Sequence, residues 1–342
     1  MILRGPALPP PPRPTLRDGL DAAAGAPGSR LGVTFVSLRE EETFLRWGEV
    51  RERALRAAAA LAGLGVAPGD RVAIVLRTEP AFLDAFFGAW YAGAVPVPLY
   101  PPVRLGRMDE YLAATARMLA VSGARLVVAG GAVRRLLAEA IARARPPLGC
   151  VDAAALERPR RGLARPIGPD DLGLVQFSSG STVDPKPVAL THGALAAQLA
   201  ALVEATGRPD AAREALVSWL PLYHDMGLLG GLLGPATYPG PCVLVAPEHF
   251  LARPALWLRA IARHRGTLSP APSFAYAYAA ERVSDDELRG LSLASWRLAL
   301  DGAEAVSADA MRRFAARFRP HGFDPASLVP VYGLSEAALA VT

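Results

Sequence analysis

Hydrophobic and polar positions along the chain repeat with the periods of helices and strands. Over residues 47–64 apolar side chains recur at steps of three to five, and Gly65 follows, which predicts a helix that ends at this glycine. Residues 71–76 form a short β-branched run, residues 80–92 have helical spacing, and residues 95–97 form a second extended run. This succession predicts a β-α-β unit with parallel strands.

The same alternation continues to the last residue. Further helices are predicted at residues 108–122, 133–143, 194–205, 254–264 and 308–318, and further strands at 125–128, 172–177, 216–219, 243–245, 297–300 and 329–332. Strands that alternate with helices indicate the α/β fold class, here as two stacked α/β subdomains over residues 31–170 and 171–342. Residues 1–30 are rich in proline, alanine and glycine, and they predict a flexible extended arm.

Composition and charge exclude two classes of protein. Of the 342 residues, 51% are hydrophobic and 20% are charged, which is typical of a packed globular protein and excludes disorder for most of the chain. The formal net charge of +5 comes from arginines spread along the whole sequence, with Lys186 as the only lysine. Because nucleic-acid binding needs clustered basic residues, we expect no nucleic-acid partner.

Cysteine usage and the apolar stretches favour a cytoplasmic protein. Cys150 and Cys242 lie far apart, with the spacing of neither a disulfide framework nor a metal site. The first residues contain no apolar stretch of the kind a secretory signal needs. The longest apolar region, residues 81–100, is interrupted by Asp84 and by prolines, so it predicts no membrane span.

The segment SSGSTVDPKPV, residues 178–188, directly follows a predicted buried strand and carries the first candidate chemistry. Such a loop can direct backbone N–H groups and hydroxyls at phosphate oxygens or at the water shell of Mg²⁺, and Lys186 adds a positive charge. The loop is no P-loop, since no Gly-Lys-Ser/Thr follows, and a Ser/Gly-rich surface loop remains the alternative. The hydroxyl-bearing turn consists of Ser178, Ser179, Gly180, Ser181 and Thr182.

Three later segments place polar residues beside apolar runs. LPLYHDMGLLGG, residues 220–231, sets a histidine and an aspartate inside an apolar stretch, which predicts either a ligand-lined cleft or a satisfied core histidine. LDGAEAV, residues 300–306, and VYGLSEAAL, residues 331–339, follow predicted strands, where open α/β sheets bind ligands. The polar members of these segments are His224, Asp225, Glu304, Tyr332, Ser335 and Glu336.

These four segments, in this order, resemble the core motifs of the adenylate-forming superfamily of acyl-CoA synthetases, peptide-synthetase adenylation domains and fatty acyl-AMP ligases. The resemblance covers residues 34–342. PVPLYPP, LPLYHDMGL, SPAPSFAYAYA and DGAEAV make the chain most similar to the fatty acyl-AMP ligase branch. The resemblance implies the large N-terminal domain of such an enzyme, without its final barrel-like part and without the small C-terminal domain that bears the catalytic lysine.

The resemblance also implies a role for each motif residue. Ser178, Ser179, Gly180, Ser181, Thr182 and Lys186 would hold the β- and γ-phosphates of ATP. Gly302, Ala303 and Glu304 would line the adenine and acyl-carboxylate side, Tyr332 would stack on adenine, Gly333 would belong to the ATP/AMP-binding residues, and Ser335 would bind the α-phosphate. Thr182 and Glu336 would ligate Mg²⁺. His224 and Asp225 would lie between the nucleotide and the acyl tunnel, with Met226 and Gly227 on its apolar side. The implied catalytic residues are His224, Thr182 and Glu336.

The implied function is ATP-dependent activation of a medium- or long-chain fatty acid to an acyl-adenylate, with release of pyrophosphate and transfer to the phosphopantetheine of an acyl carrier protein. An acyl-CoA synthetase is the alternative enzyme. A non-catalytic nucleotide- or acyl-binding remnant is the alternative of another class, because Val183 and Pro187 stand where the phosphate loop usually has glycines. Without the C-terminal parts, we expect the 342 residues to be incomplete for catalysis.

Overall fold

The computed structural model describes residues 10–102, 107–157, 161–177, 186–207 and 214–342. The strands are β1 (Gly32–Val36), β2 (Glu42–Arg46), β3 (Arg71–Val75), β4 (Val95–Pro98), β5 (Ala124–Ala129), β6 (Cys150–Asp152), β7 (Leu172–Phe177), β8 (Pro187–Thr191), β9 (Leu216–Ser218), β10 (Cys242–Val245), β11 (Leu268–Ala271), β12 (Leu298–Asp301), β13 (Leu328–Pro330), β14 (Gly333–Leu334) and β15 (Leu339–Ala340).

Helices fill the segments between these strands, as the sequence pattern predicts. The α-helices are α1 (Leu16–Gly25), α2 (Trp47–Gly63), α3 (Pro80–Tyr91), α4 (Met108–Ser122), α5 (Gly131–Leu136), α6 (Ala138–Ala144), α7 (His192–Ala205), α8 (Gly234–Thr237), α9 (Pro247–Ala252), α10 (Ala255–His264), α11 (Ser273–Arg282) and α12 (Ala308–Phe318). A π-helix covers Met226–Leu233, and a 3₁₀ turn covers Ser335–Ala337. None of the helices in the described ranges combines the length and the apolar character that crossing a membrane requires.

The β3-α3-β4 unit confirms the predicted parallel pairing, and it belongs to a four-stranded sheet in the order β4-β3-β5-β6. Helix α3 is buried on almost every side, which explains its nearly continuous apolar sequence. Its one charge, Asp84, is buried and accepts a 2.8 Å hydrogen bond from Arg53 Nε on α2. Gly88 lets the two helices approach, since a Cβ there would lie 2.7 Å from the Ala57 methyl group.

A larger sheet forms the base of the cavity described below. Within the described residues its seven strands follow the order β13-β12-β11-β9-β10-β1-β2, and every pair is parallel except β1 with β2. Strand β1 comes from the first part of the chain but pairs with β10 of the second part, and β2 joins the sheet through β1. The strand pairing therefore crosses the predicted subdomain boundary between residues 170 and 171.

The N-terminal region differs from the predicted extended arm, because Leu16–Gly25 forms helix α1. Thr15 and Asp18 form a capping box at its start, and Leu16 and Leu20 are buried against α2 and α8. The prediction of an arm over residues 1–30 is therefore wrong for this decapeptide. The amphipathic pattern behind the capping box outweighs the proline-rich composition, because burying its leucines stabilises the helix.

The strands on either side of the predicted phosphate loop form an antiparallel hairpin. Strands β7 and β8 pair in a register that sets Phe177 opposite Pro187, and the loop residues 178–185 between them lie outside the described ranges. Thr191 then caps α7 by accepting a hydrogen bond from the Ala194 N–H. The 3₁₀ turn Ser335–Ala337 packs against β8, so the end of the phosphate loop and the C-terminal motif are neighbours.

Candidate active site

A cavity of about 380 Å³ lies between the seven-stranded sheet, α7, the π-helix and the β14–β15 hairpin. Most of its wall is apolar. Residues at i, i+3 and i+4 of α7 form one side together with Thr206 just after the helix, and alternate residues of β11 form the base, as the periods of a helix and a strand require. The apolar lining includes Leu199, Leu202, Val203, Leu216, Leu229, Leu268, Pro270, Leu300 and Leu339.

The polar part of the wall comes from two motifs that are distant in sequence. His224 and Asp225 reach the cavity from the turn before the π-helix, and Tyr332, Ser335 and Glu336 reach it from the C-terminal segment. Tyr332 is 60% exposed, so its ring is free to contact a ligand. The cavity thus combines one group of polar side chains with a long apolar wall.

A chain of hydrogen bonds connects these two motifs. Ser335 Oγ donates to Asp225 Oδ2 over 2.7 Å, and His224 Nδ1 lies 2.8 Å from Asp225 Oδ1. The Met226 N–H also donates to Asp225 Oδ1, at 2.7 Å. Burial of this aspartate opposes its ionisation, but hydrogen bonds from His224, Ser335 and Met226 outweigh that effect and lower the pKa of Asp225. The carboxylate is therefore ionised at neutral pH.

Backbone packing fixes the turn that carries His224. The His224 N–H donates to the Pro221 carbonyl at 3.2 Å, and the Leu228 N–H donates to the His224 carbonyl at 2.8 Å. Gly227 is required by close approach, since a Cβ there would lie 2.2 Å from the Pro221 oxygen. The π-helix that follows is a rare conformation that occurs preferentially at functional sites. Gly227 therefore holds the turn in place and does not itself line the cavity.

The C-terminal motif is held by a short hairpin. The Tyr332 N–H donates to the Thr342 carbonyl at 2.9 Å, and the Val341 N–H returns a 2.8 Å bond to the Tyr332 carbonyl. A Cβ at Gly333 would lie 1.9 Å from the Leu339 oxygen, so only glycine fits at this position. Gln198 Nε2 donates to the Ala340 carbonyl at 2.8 Å and joins the hairpin to α7.

The DGAEAV motif contributes mainly backbone to the site. Ala303 lines the cavity with a φ of +69°, a left-handed conformation that costs a non-glycine residue about 1–2 kcal/mol. Glu304 accepts a 2.7 Å hydrogen bond from the Phe274 N–H at the start of α11, and it does not line the cavity. A Cβ at Gly302 would lie 2.7 Å from a Val331 methyl group, so this glycine serves packing.

Asp301, in the same motif, is fully buried and holds two segments together. Its carboxylate accepts hydrogen bonds from Ser273 Oγ at 2.9 and 2.7 Å, and the Ser307 N–H donates to that same oxygen of Ser273 at 2.9 Å. Burial raises the pKa of Asp301, although the Ser273 hydroxyl lowers it in part. No local sequence pattern connects Ser273 with Asp301, because 28 positions separate the two residues.

The structure brings together most of the predicted site residues that it describes. Those lining the cavity are His224, Asp225, Met226, Ala303, Tyr332, Gly333, Ser335 and Glu336. Lys186, Gly227, Gly302 and Glu304 do not line it, and their ligand roles stay predictions. Ser178, Ser179, Gly180, Ser181 and Thr182 lie outside the described residues, as does Val183. The apolar wall of α7 was missed, although its helical spacing is visible in the sequence.

The residues present fit the divalent cation that the resemblance implies. Glu336 is exposed at the cavity and makes no hydrogen bond or ion pair with the rest of the described chain. The described ranges hold no group of three or more histidine, cysteine and acidic side chains suited to a metal. Mg²⁺ needs no such group, because it binds through one or two carboxylates together with substrate phosphates and water.

Sequence comparisons agree with the geometry. The model of the AMP-binding enzyme family matches residues 21–342. A long-chain-fatty-acid–AMP ligase of Mycobacterium marinum is 37% identical over 87% of this chain and 51% of its own length. A medium-chain-fatty-acid–acyl-carrier-protein ligase of Moorena producens is 32% identical over 96% of this chain and 56% of its own length. A Caulobacter vibrioides protein named as an acyl-CoA synthetase is 35% identical over 96% of this chain and 57% of its own length.

Solved structures give the same result. A structure from the fatty acyl-adenylate ligases of E. coli and L. pneumophila superposes with a TM-score of 0.88 at 35% identity, over 98% of this chain and 60% of that one. The L. pneumophila fatty acyl-adenylate ligase in complex with acyl adenylate and pyrophosphate gives a TM-score of 0.85 at 30% identity, over 97% of this chain and 57% of that one. The chain spans between half and three fifths of the length of these relatives and solved structures. It belongs to the AMP-binding enzyme family, among relatives that are fatty acyl-AMP ligases.

Proposed function

We propose that the protein to which this chain belongs activates a fatty acid as an acyl-adenylate and releases pyrophosphate. The observation that carries this proposal is the cavity itself, which places the polar groups of two motifs beside a wall of leucines. An acyl-adenylate has the same division, since a phosphate and a nucleoside are joined to a hydrocarbon chain. The relatives named as fatty acid–AMP ligases support the same assignment.

The chemistry brings several anions together. A carboxylate oxygen of the fatty acid attacks the α-phosphorus of ATP, a new oxygen–phosphorus bond forms, and the bond from the α-phosphorus to the bridging oxygen breaks as pyrophosphate leaves. The site must position the two reactants in line and offset the repulsion between them. His224 can donate Nε2–H to an anion when it is protonated, and the predicted loop at residues 178–186 would supply hydroxyls and the Lys186 charge.

Mg²⁺ bound with the nucleotide would supply positive charge beside the departing pyrophosphate. Glu336 is the described carboxylate that we assign to it, because this side chain lines the cavity without another partner in the described residues. Thr182 is the proposed second ligand. The Tyr332 ring, at the same mouth, is the proposed contact for adenine.

The apolar wall is proposed to hold the acyl chain. Leu199, Leu202 and Val203 of α7 line the same cavity as Leu229 of the π-helix. Burial of each methylene group contributes about 0.8 kcal/mol, so affinity should rise with chain length until the wall ends. This dependence favours a medium- or long-chain fatty acid over a short acid.

An acyl carrier protein is the proposed acceptor, as in the name of the Moorena producens relative. Coenzyme A is the second candidate, because the Caulobacter vibrioides relative is named as an acyl-CoA synthetase. Transfer assays with the full-length protein distinguish these two acceptors when each is supplied at the same concentration. Acyl-CoA formation in excess of acyl-carrier product would overturn the first assignment.

Titration calorimetry with acyl-sulfamoyl adenosines, which are non-hydrolysable mimics of an acyl-adenylate, tests binding by the chain itself. We expect affinity to increase from a butyryl to a dodecyl mimic. ATP–pyrophosphate exchange by the full-length protein then tests catalysis. Absence of binding for every mimic would overturn the proposal, whereas binding without exchange would favour the non-catalytic module.

A further inference from the structure

Asp225 occupies an unusual position in the cavity wall. It is buried, it ends the turn that carries His224, and it is joined to the C-terminal motif by Ser335. Three groups surround its carboxylate within 2.8 Å: His224 Nδ1, the Met226 N–H and Ser335 Oγ. His224, Met226 and Ser335 all line the cavity as well.

An ionised carboxylate can only accept hydrogen bonds, so each of these three neighbours must donate to it. His224 must therefore carry a hydrogen on Nδ1, which leaves Nε2 as the ring nitrogen that can exchange a proton or contact a reactant. The Ser335 hydroxyl hydrogen is likewise committed to Asp225. Ser335 Oγ then offers only lone pairs to the cavity, and donation to a phosphate oxygen would require this bond to break.

We propose that Asp225 is a positioning residue of the adenylation site. It keeps a hydrogen on His224 Nδ1, so that Nε2 is the nitrogen that can take up a proton and then donate to an anionic reactant, and it holds the hydroxyl hydrogen of Ser335 out of the cavity. Its hydrogen bond to Ser335 also fixes the distance between the turn that carries His224 and the C-terminal motif, which we propose bind the same ligand. This inference rests on the proposed function for its catalytic meaning, but the placement of the protons can be measured without any substrate.

A simpler role would be to cap the π-helix through the Met226 N–H, and substitutions separate the two roles. In Asp225→Asn the amide oxygen can still accept from Met226 and from His224, since asparagine is an equally good cap. Its NH₂ group, however, must donate toward Ser335, so the hydroxyl of Ser335 reverses its direction. Asp225→Ala removes all three interactions.

The first measurement uses nitrogen NMR of the histidine rings in the ligand-free chain. The signals of His224 are identified among the five histidines by their loss in His224→Gln. We expect the Nδ1–H tautomer in the wild type and in Asp225→Asn, and a shift toward the Nε2–H tautomer in Asp225→Ala. An unchanged tautomer in Asp225→Ala would overturn the proposal.

The second measurement is the affinity of the same variants for dodecyl-sulfamoyl adenosine. We expect losses of about tenfold for Asp225→Asn and about a hundredfold for Asp225→Ala, as for a mispaired and a deleted buried acceptor. The matched control is Asp324→Asn, since Asp324 also caps a short helix, through the Ala326 N–H at 2.9 Å, but does not line the cavity. This control should bind the mimic as the wild type does.

These outcomes distinguish the inference from the proposed function. If Asp225→Asn and Asp225→Ala both bind the mimic as tightly as the wild type, Asp225 is a cap and the positioning role is overturned. If the wild-type chain binds no mimic, the proposed function fails, and the tautomer measurement still decides where Asp225 holds the protons.

Discussion

The Ser335 hydroxyl and the Asp225 carboxylate lie 2.7 Å apart, although 110 positions separate them in the chain. Each belongs to a motif that sequence analysis selected separately. Their hydrogen bond joins the two motifs, and most of the other described candidates line the same cavity. It also changes the expected chemistry of Ser335, because a hydroxyl that donates to an aspartate has no second hydrogen for a phosphate.

Gly230 should control the length of the acyl chain. It lines the cavity from the π-helix, and a Cβ there would meet a Leu339 methyl group at an ordinary 3.4 Å, so a larger side chain can enter the cavity. We expect Gly230→Leu to weaken binding of a dodecyl-sulfamoyl adenosine about tenfold or more, while a butyryl mimic binds as before. Calorimetry with both mimics measures this, with the exposed Gly25→Leu as control. Equal loss for both mimics would contradict a role in chain length.

Glu336 and Glu304 should differ in their effect on nucleotide binding. Glu336 lines the cavity, whereas Glu304 accepts a hydrogen bond from the Phe274 N–H at the start of α11. We expect Glu336→Gln to lower ATP affinity about tenfold in the presence of Mg²⁺ and to have little effect in EDTA. Glu304→Gln is the matched control and should leave both affinities unchanged. Calorimetry with ATP checks this, and the opposite ranking would reassign the Mg²⁺ ligand.

Gly227 should be needed for stability. A Cβ at this position would lie 2.2 Å from the Pro221 oxygen, which only a shift of the backbone can relieve. We expect Gly227→Ala to lower the free energy of unfolding by about 3 kcal/mol, at the upper end of overpacking costs. Urea denaturation measures this. Gly48→Ala, in helix α2 with its nearest contact at 3.5 Å, should be neutral or stabilising, and a wild-type midpoint for Gly227→Ala would contradict the account.

Replacing only one partner of the Arg53–Asp84 ion pair should lower the free energy of unfolding substantially. Asp84 is buried, with a side chain only 6% exposed, so removal of its partner leaves an uncompensated charge. We expect Arg53→Met to lower the free energy of unfolding by about 3–5 kcal/mol, and the double variant with Asp84→Leu to recover much of that loss. Arg313→Met breaks two exposed pairs, with Glu281 and with Asp309, and should still cost less than about 1 kcal/mol. Urea midpoints that fall equally in both single variants would refute the difference.

His192 should make the fold sensitive to mild acid. Burial, together with the nearby Arg17 guanidinium, lowers the pKa of His192 to about 4, against an ordinary value near 6.5 in the unfolded chain. Between these values the unfolded state binds the proton and the folded state does not, so stability falls as the pH falls from about 6.5 to 4. The expected contribution is about 3 kcal/mol at the lower end of this range.

Urea denaturation at several pH values, for the wild type and His192→Gln, measures that contribution. The variant carries no group that titrates at this position, so its stability should depend less on pH across the same range. Identical pH dependence of the two proteins would show that His192 is not the responsible group. His264, which is partly exposed and 2.9 Å from Glu42, provides a control as His264→Gln.

Local periodicity was enough to predict much of the fold. The helix over Met108–Ser122, the strand over Leu172–Phe177 and the helix over Ala308–Phe318 have the predicted bounds. Each is a segment whose own apolar pattern matches one period. Helix α1 was missed because its proline-rich flank dominated the composition, although the capping box Thr15–Asp18 was visible in the sequence.

The candidate site also contains residues that the sequence indicated and contacts that only the structure shows. The sequence indicated His224 and Asp225 because polar residues inside an apolar run are costly to bury without a partner. It indicated Tyr332, Ser335 and Glu336 because their segment follows a predicted strand. The sequence could not show that Glu304 caps α11 or that Ser273 holds Asp301. Those roles depend on contacts between residues about 30 positions apart, and one amino-acid sequence does not specify such contacts directly.

By itself, the sequence determined the α/β alternation, the four ordered motifs and thereby the family. Both follow from properties of short segments, namely hydrophobic period and residue type. Only the tertiary structure decided that β1 and β2 join the seven-stranded sheet and that α7 and the π-helix enclose an apolar cavity. It also decided that the Asp225 carboxylate connects His224 with Ser335. The physical reason is that pairing register and side-chain packing are set by contacts between distant segments, which no local pattern specifies.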